Sequence, residues 1–146
     1  MVINHVQKKK WGHELWIVNS DLYCGKILTI ETHWKVSYHF HQIKHETFHI
    51  LDGYIYFKIN NIEFRMKPGM TIVVPQESFH SFGGLSTYPA RILEISTKHD
   101  EEDSYREDES HIINHDEFVR WHDLPLYSPE LLISSCGGEN ECILPS

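Results

Sequence analysis

Residues 34–41 alternate without a break: Trp34, Val36, Tyr38 and Phe40 fall on one parity, and Lys35, Ser37, His39 and His41 on the other. A repeat of two is that of a β-strand, whose successive side chains point to opposite faces. The stretch therefore predicts a strand with one aromatic face and one polar face. His39 and His41, at i and i+2, share the polar face, and the carboxylate of Glu46 follows five residues later. Two imidazoles and a carboxylate gathered this closely predict a metal-binding set. They also predict that the polar face lines a cavity, while the Trp34, Tyr38 and Phe40 face is covered by another sheet or by a second subunit.

The flanking sequence breaks into short pieces of the same kind. Residues 14–18 and 22–31 are rich in β-branched and aromatic side chains and are separated by Asn19-Ser20-Asp21, which predicts two strands and a turn. Further strands are expected at 46–52, 54–59, 62–66, 70–74, 79–82 and 90–96. Asp52-Gly53, Asn60-Asn61 and Lys67-Pro68-Gly69 supply the turns between several of them, because Gly and Asn tolerate positive φ. Strands recurring at about ten-residue intervals predict an all-β barrel or sandwich. After residue 97 the acidic run that begins at Asp100 reads as a solvated loop, residues 116–121 as one or two helical turns, and the tail as irregular. The expected organisation is a single domain, a barrel over 1–112 with an N-terminal strand arm, and an extension over 113–146 packed on the barrel or on a partner.

Charge and cysteine usage narrow the partners. Thirteen Lys and Arg stand against 21 Asp and Glu, a net −8 over 146 residues, so a nucleic-acid backbone would meet repulsion. No window approaches the roughly 20 apolar residues that cross a bilayer, and the first ten residues, with Lys8-Lys9-Lys10, lack the apolar stretch of a signal peptide. The expectation is a cytoplasmic protein that binds neither nucleic acid nor membrane. Cys24, Cys136 and Cys142 are odd in number and widely spaced, which suits reduced thiols.

The spacing His39-x-His41-x4-Glu46-x6-Gly53, followed by Gly69-x5-Pro75-x4-His80, resembles the two motifs of the cupin family. The resemblance implies a double-stranded β-helix, or jelly-roll barrel, with a short helical or irregular C-terminal tail. It also implies a metal site of His39, His41, Glu46 and His80. Three imidazoles and one carboxylate leave one or two positions open on a single divalent ion, for which Zn, Mn, Fe, Co and Ni are all candidates.

A wider resemblance covers Lys10-Trp11-Gly12 with Glu14, Lys26-Ile27-Leu28, the two motifs, and Asp100 to Asp108. Over these residues the chain is similar to the type II mannose-6-phosphate isomerase domain. That likeness implies a metal-dependent aldose–ketose isomerase acting on a sugar or sugar phosphate. The chain departs from it at two places: His39 stands where these isomerases usually carry Gln, and Ser81 follows His80 where they carry Arg. Isomerisation needs an acid or base to move a proton between carbons. Lys26, on the strand face of Cys24, Leu28 and Ile30, and Glu77, in the turn before His80, are the candidates. Lys44, Arg106 and Ser37 are candidate substrate contacts, Lys44 and Arg106 for a phosphate. Two other readings stay open, a non-catalytic sugar-binding or regulatory cupin and an Fe(II) cupin dioxygenase. The aromatic face at Trp34, Tyr38 and Phe40 suggests a homodimer.

Overall fold

The computed structural model describes residues 1–133, so Cys136 and Cys142 lie outside the described residues. Thirteen strands and two short helices follow one another along them. The strands are β1 (Val2–Lys9), β2 (Gly12–Asn19), β3 (Cys24–Ile30), β4 (Trp34–Lys35), β5 (His39–Phe40), β6 (Glu46–Asp52), β7 (Ile55–Ile59), β8 (Ile62–Met66), β9 (Thr71–Val74), β10 (His80–Gly84), β11 (Ala90–Ser96), β12 (Tyr105–Arg106) and β13 (His111–Ile112). The helices α1 (His115–His122) and α2 (Pro129–Ile133) close the described chain. One sheet runs in the order β1-β2-β3-β11-β6-β9; the other runs β12-β5-β10-β4-β13, with β7 also on β10 and β8 on β7. Every strand pairing is antiparallel. This is the expected all-β jelly-roll barrel with a short helical tail.

Alternation places the core. Along β3, every second side chain from Cys24 to Ile30 is buried, and Phe48, Phe57, Phe64 and Phe82 meet between the sheets with ring centroids 5.4–6.0 Å apart. Offset and edge-on aromatic packing of this kind adds to the burial energy itself. The hairpin between β7 and β8 turns on Asn60 and Asn61, both at positive φ (45° and 68°), as a two-residue turn that matches strand twist requires. Gly53 also sits at positive φ (75°), and a Cβ there would lie 3.1 Å from the Ala90 backbone, so both conformation and space favour glycine.

The alternating stretch 34–41 is not one continuous strand. Residues 36–38 interrupt it between β4 and β5: Val36 still donates to the Phe82 carbonyl of β10, but the next two N–H groups leave the ladder, Ser37 for Ser110 Oγ at 3.1 Å and Tyr38 for Asp108 Oδ1 at 2.6 Å. The interruption breaks the parity rule. Val36, expected outside, is buried in the core and reaches the cavity beside Ser37. The aromatic face is covered by the chain's own residues: Tyr38 and Phe40 pack on Phe79 (5.1 and 4.7 Å between centroids), Phe40 stacks on Tyr105, and Trp34 packs against the core. The exposed patch that suggested a dimer is therefore absent from this face.

The tail packs back onto the barrel through its described residues. Trp121 of α1 is fully buried and stacks on Tyr56 at 4.1 Å with an interplanar angle of 6°. Gly83 makes this possible, since a Cβ there would come within 2.5 Å of the Trp121 ring. Arg65 of β8 exchanges backbone hydrogen bonds with Pro125 and Tyr127, and Leu132 is buried against the main core.

Candidate metal centre and its cavity

His39 comes from β5, Glu46 from the start of β6 and His80 from the start of β10; His41 follows β5 directly. The register brings them together, with His80 opposite His39 across the β10–β5 pair. Ligand atoms of His39, His41 and His80 lie within 4.8 Å of one another, and Glu46 Oε1 stands 3.2 Å from Nε2 of both His41 and His80.

The three rings share one device. Nδ1 of His39 faces the Ser37 carbonyl (2.7 Å), Nδ1 of His41 the Asp103 carbonyl (2.5 Å) and Nδ1 of His80 the Ser78 carbonyl (2.9 Å). A carbonyl oxygen can only accept, so each Nδ1 carries the proton and donates it. In the neutral ring that leaves a bare Nε2 lone pair, the form a metal takes. Glu46 Oε1 and His80 Nε2 are both buried without a hydrogen-bond partner. Buried polar atoms are ordinarily paired; two of them facing each other among imidazoles fit a divalent ion.

Electrostatics favour the same state. Burial, reinforced by His80 and His41, holds His39 well below the usual imidazole value, and burial also lowers His41. Burial alone would raise the Glu46 carboxyl, yet Lys44 and the adjacent His80 outweigh it and keep it well below the usual carboxylate range. His80 is opposed by burial but raised on balance by Glu46, so proton and metal compete for its Nε2.

A cavity of about 370 Å³ opens beside these rings. His39 and His41 form part of its wall, while Glu46 and His80 lie deeper and are not among its lining residues. Ser37 and Arg106, two expected substrate contacts, do line it. The sequence reading missed the basic rim of Lys8, Lys9 and Lys10, together with Trp11 and Glu14, which reach it from β1 and β2. The Lys8-Lys9-Lys10 run was the available signal, since three consecutive cations at the end of a strand must put at least one on each face.

Residues 26–96 match the family model described as Cupin domain. The structure of KdgF from a Halomonas species is similar, with a TM-score of 0.61 at 10% identity, covering 67% of this chain and 89% of that one. So is CapF, a capsular polysaccharide assembling protein of Staphylococcus aureus, at 0.63 and 15% identity over 70% of this chain and 32% of that one. A mutant of the Bacillus subtilis oxalate decarboxylase OxdC gives 0.61 and 15% identity, over 71% of this chain and 30% of that one. The chain thus spans about a third of the length of the latter two. At these identities the likeness is one of fold. Comparison with curated protein sequences returns no match.

Three of the expected catalytic and substrate-binding residues do not line this cavity. The Lys26 ammonium is buried behind the cavity wall, 3.3 Å from Glu14 and 4.4 Å over the Trp16 ring. Lys44 is also buried and is engaged by Glu94 at 2.6 Å, Glu46 at 3.8 Å and His99 at 3.0 Å. Glu77 is exposed in its turn at φ 65°, with only its backbone N–H bonded, to the His41 carbonyl. The cause is common to Lys26 and Lys44: a buried ammonium must be paired, and the carboxylates that pair them lie on neighbouring strands. The acidic run differs as well. Asp103 is buried and accepts the N–H groups of Gln42, Ile43 and Lys44, which fixes the turn that carries His41.

Proposed function

We propose that the protein is a metal-dependent cupin acting on a sugar or sugar phosphate, with aldose–ketose isomerisation as its reaction. The observation that carries the reading is the set of three imidazoles, each fixed through Nδ1 to a carbonyl, with Nε2 of His41 and His80 set against the buried Glu46 carboxylate, beside a polar cavity with a basic rim. His39, His41, Glu46 and His80 would hold one divalent ion. When bound, that ion supplies Lewis acidity toward a carbonyl or hydroxyl oxygen of the ligand. The volume suits a small ligand, being in the range of small-molecule pockets, and Arg106 with the Lys8 to Lys10 rim suits a phosphate or carboxylate at one end of it. A similar fold in a capsular polysaccharide assembling protein supports the carbohydrate reading.

The test joins metal analysis to turnover. One divalent ion per chain is expected, with interconversion of mannose 6-phosphate and fructose 6-phosphate or of free aldoses such as lyxose, and His41→Ala is expected to lose both ion and turnover. A metal-loaded protein inert toward a panel of hexoses, pentoses and their phosphates would overturn the isomerase assignment.

A second reading, a sugar-binding cupin without turnover, is favoured by one observation. Ser81, where the isomerases carry Arg, is fully buried and donates its hydroxyl to the Val36 carbonyl, so that position serves the fold. Binding of a sugar without conversion would support it. The oxalate decarboxylase likeness adds small carboxylic acids to the substrate panel, and turnover of one of them in place of a sugar is the contrasting outcome. A homodimer in a reducing, cytoplasmic setting completes the proposal; Cys24 is a free, buried thiol, and β1 lies at the edge of its sheet with Ile3 and Val6 exposed.

A further inference from the structure

Three carboxylates outside the metal group line the same cavity, Glu14, Glu101 and Glu109; Glu101 and Glu109 are exposed, and Glu14 is the buried one. Glu14, on β2, is 9% exposed and lines the cavity together with His39 and His41. Its two oxygens differ. Oε1 accepts the Trp16 indole N–H at 2.8 Å and the Lys26 ammonium at 3.3 Å. Oε2 accepts no hydrogen bond from a described residue, and it is not among the atoms sealed from solvent, as Glu46 Oε1 and His80 Nε2 are. Burial would raise this carboxyl, but Lys26 and then Lys9 outweigh it, so the group stays ionised. Lys26 is itself fixed over the Trp16 ring, so this cavity-lining carboxylate is backed by a rigid pair of donors on Oε1, and Oε2 is the oxygen they leave free.

An ionised carboxylate only accepts hydrogen bonds, and one with its other oxygen pinned has little freedom to turn away. A ligand beside it must offer O–H or N–H donors. A small dianionic acid in the same place would meet like charge in a partly desolvated site, whereas a polyol satisfies Oε2 with a charge-assisted hydrogen bond. An anionic group, where the ligand has one, is drawn instead to Arg106 and the lysine rim.

We propose that Glu14 is a ligand-contacting, specificity-determining residue of this cavity, with Oε2 accepting a hydroxyl hydrogen bond from a polyhydroxy ligand held beside His39 and His41. The inference rests on the sugar reading above, and the experiment separates the two. Metal-loaded wild type, Glu14→Gln and Glu14→Asp are titrated calorimetrically with mannose 6-phosphate, fructose 6-phosphate, mannose and lyxose, and metal content and circular dichroism are recorded for each protein. Glu14→Asp keeps the charge opposite Lys26 and withdraws the carboxylate by one methylene, so the fold is retained even where Glu14→Gln leaves the lysine unpaired.

For the sugar that wild type binds, affinity is expected to fall about 10- to 100-fold in Glu14→Gln and about tenfold in Glu14→Asp at unchanged metal content, the range of a hydrogen bond to a charged group. Deoxy analogues of that sugar then distinguish contact from mere support of Lys26. One analogue, lacking the hydroxyl that meets Oε2, is expected to bind wild type and Glu14→Asp equally. Equal loss with every analogue, or no loss with the parent sugar, overturns the proposal and leaves the sugar reading standing. Failure of wild type to bind any of the four sugars overturns both.

Discussion

At the scale of single residues, the interior of this barrel is held by charges of alternating sign. Glu14 pairs with Lys26, Glu94 with Lys44, and Lys44 reaches on to Glu46; Lys26 and Glu94 are themselves neighbours across β3 and β11. Each group is buried, so each depends on its partner far more than a surface ion would. Lys44→Met removes the cation shared by two buried carboxylates. It is expected to destabilise the metal-free protein by about 3–5 kcal/mol, measured as a shift in the denaturant midpoint, and added divalent ion is expected to recover part of the loss by neutralising Glu46. Equal stability of the two proteins without metal would show that Lys44 does not hold this pair of charges.

At the scale of elements, α1 is tied to the barrel by two rings and one guanidinium; Phe118 packs on His33 with ring centroids 3.9 Å apart. Trp121 fills the space above Gly83 and stacks on Tyr56, so Trp121→Ala is expected to cost about 3–5 kcal/mol in thermal or chemical unfolding. Gly83→Ala, whose new methyl meets the same ring, is expected to release α1, visible as a red shift in tryptophan emission. Arg120 bridges Glu117 of its own helix and Glu63 of β8 with contacts of 2.6 and 2.7 Å. Its hydrogen bonds hold both carboxyls below the ordinary value of 4.5. A carboxyl depressed in the folded state contributes stability that is fully present above about 4.5 and is lost as pH falls through the folded value. Arg120→Met is therefore expected to flatten the loss of thermal stability below that pH while changing it little at neutrality, because these groups are partly exposed and screened. A curve of unchanged steepness would assign the acid limb to other carboxylates.

At the scale of the whole molecule, the two faces of β1 are largely exposed, with Ile3 at 59% and Val6 at 57%, and its outer edge is unpaired among the described residues. An edge of this kind is open to a further strand, and a second copy of β1 is the proposed occupant. Light scattering is expected to give the mass of a dimer, and Val6→Lys, which puts charge on that edge, is expected to give a monomer with its metal content unchanged. Monomer mass in the unmodified protein would rule out this association.

The periodicity of β3, β6, β8 and β11, the turns at Gly53 and Asn60-Asn61, and the pairing of His39 with His41 and Glu46 were all legible in the chain, because each depends on near neighbours and on a two-residue repeat. The extent of the N-terminal strand and its pairing with β2, the interruption at 36–38 and the burial of Asp103 were not. Each is set by partners about ten to seventy residues away: β2 for β1, Ser110 and Asp108 for the interruption, and the N–H groups of 42–44 for Asp103. The grouping of His39, His41 and Glu46 is thus a property of the sequence by itself. Which of the other charged residues face the cavity was decided by the tertiary structure, since a buried Lys26 or Lys44 must be satisfied by whichever carboxylate folding places beside it. That requirement turned an expected acid or base, Lys26, and an expected substrate contact, Lys44, into supports of the wall, and left Glu14 lining the cavity.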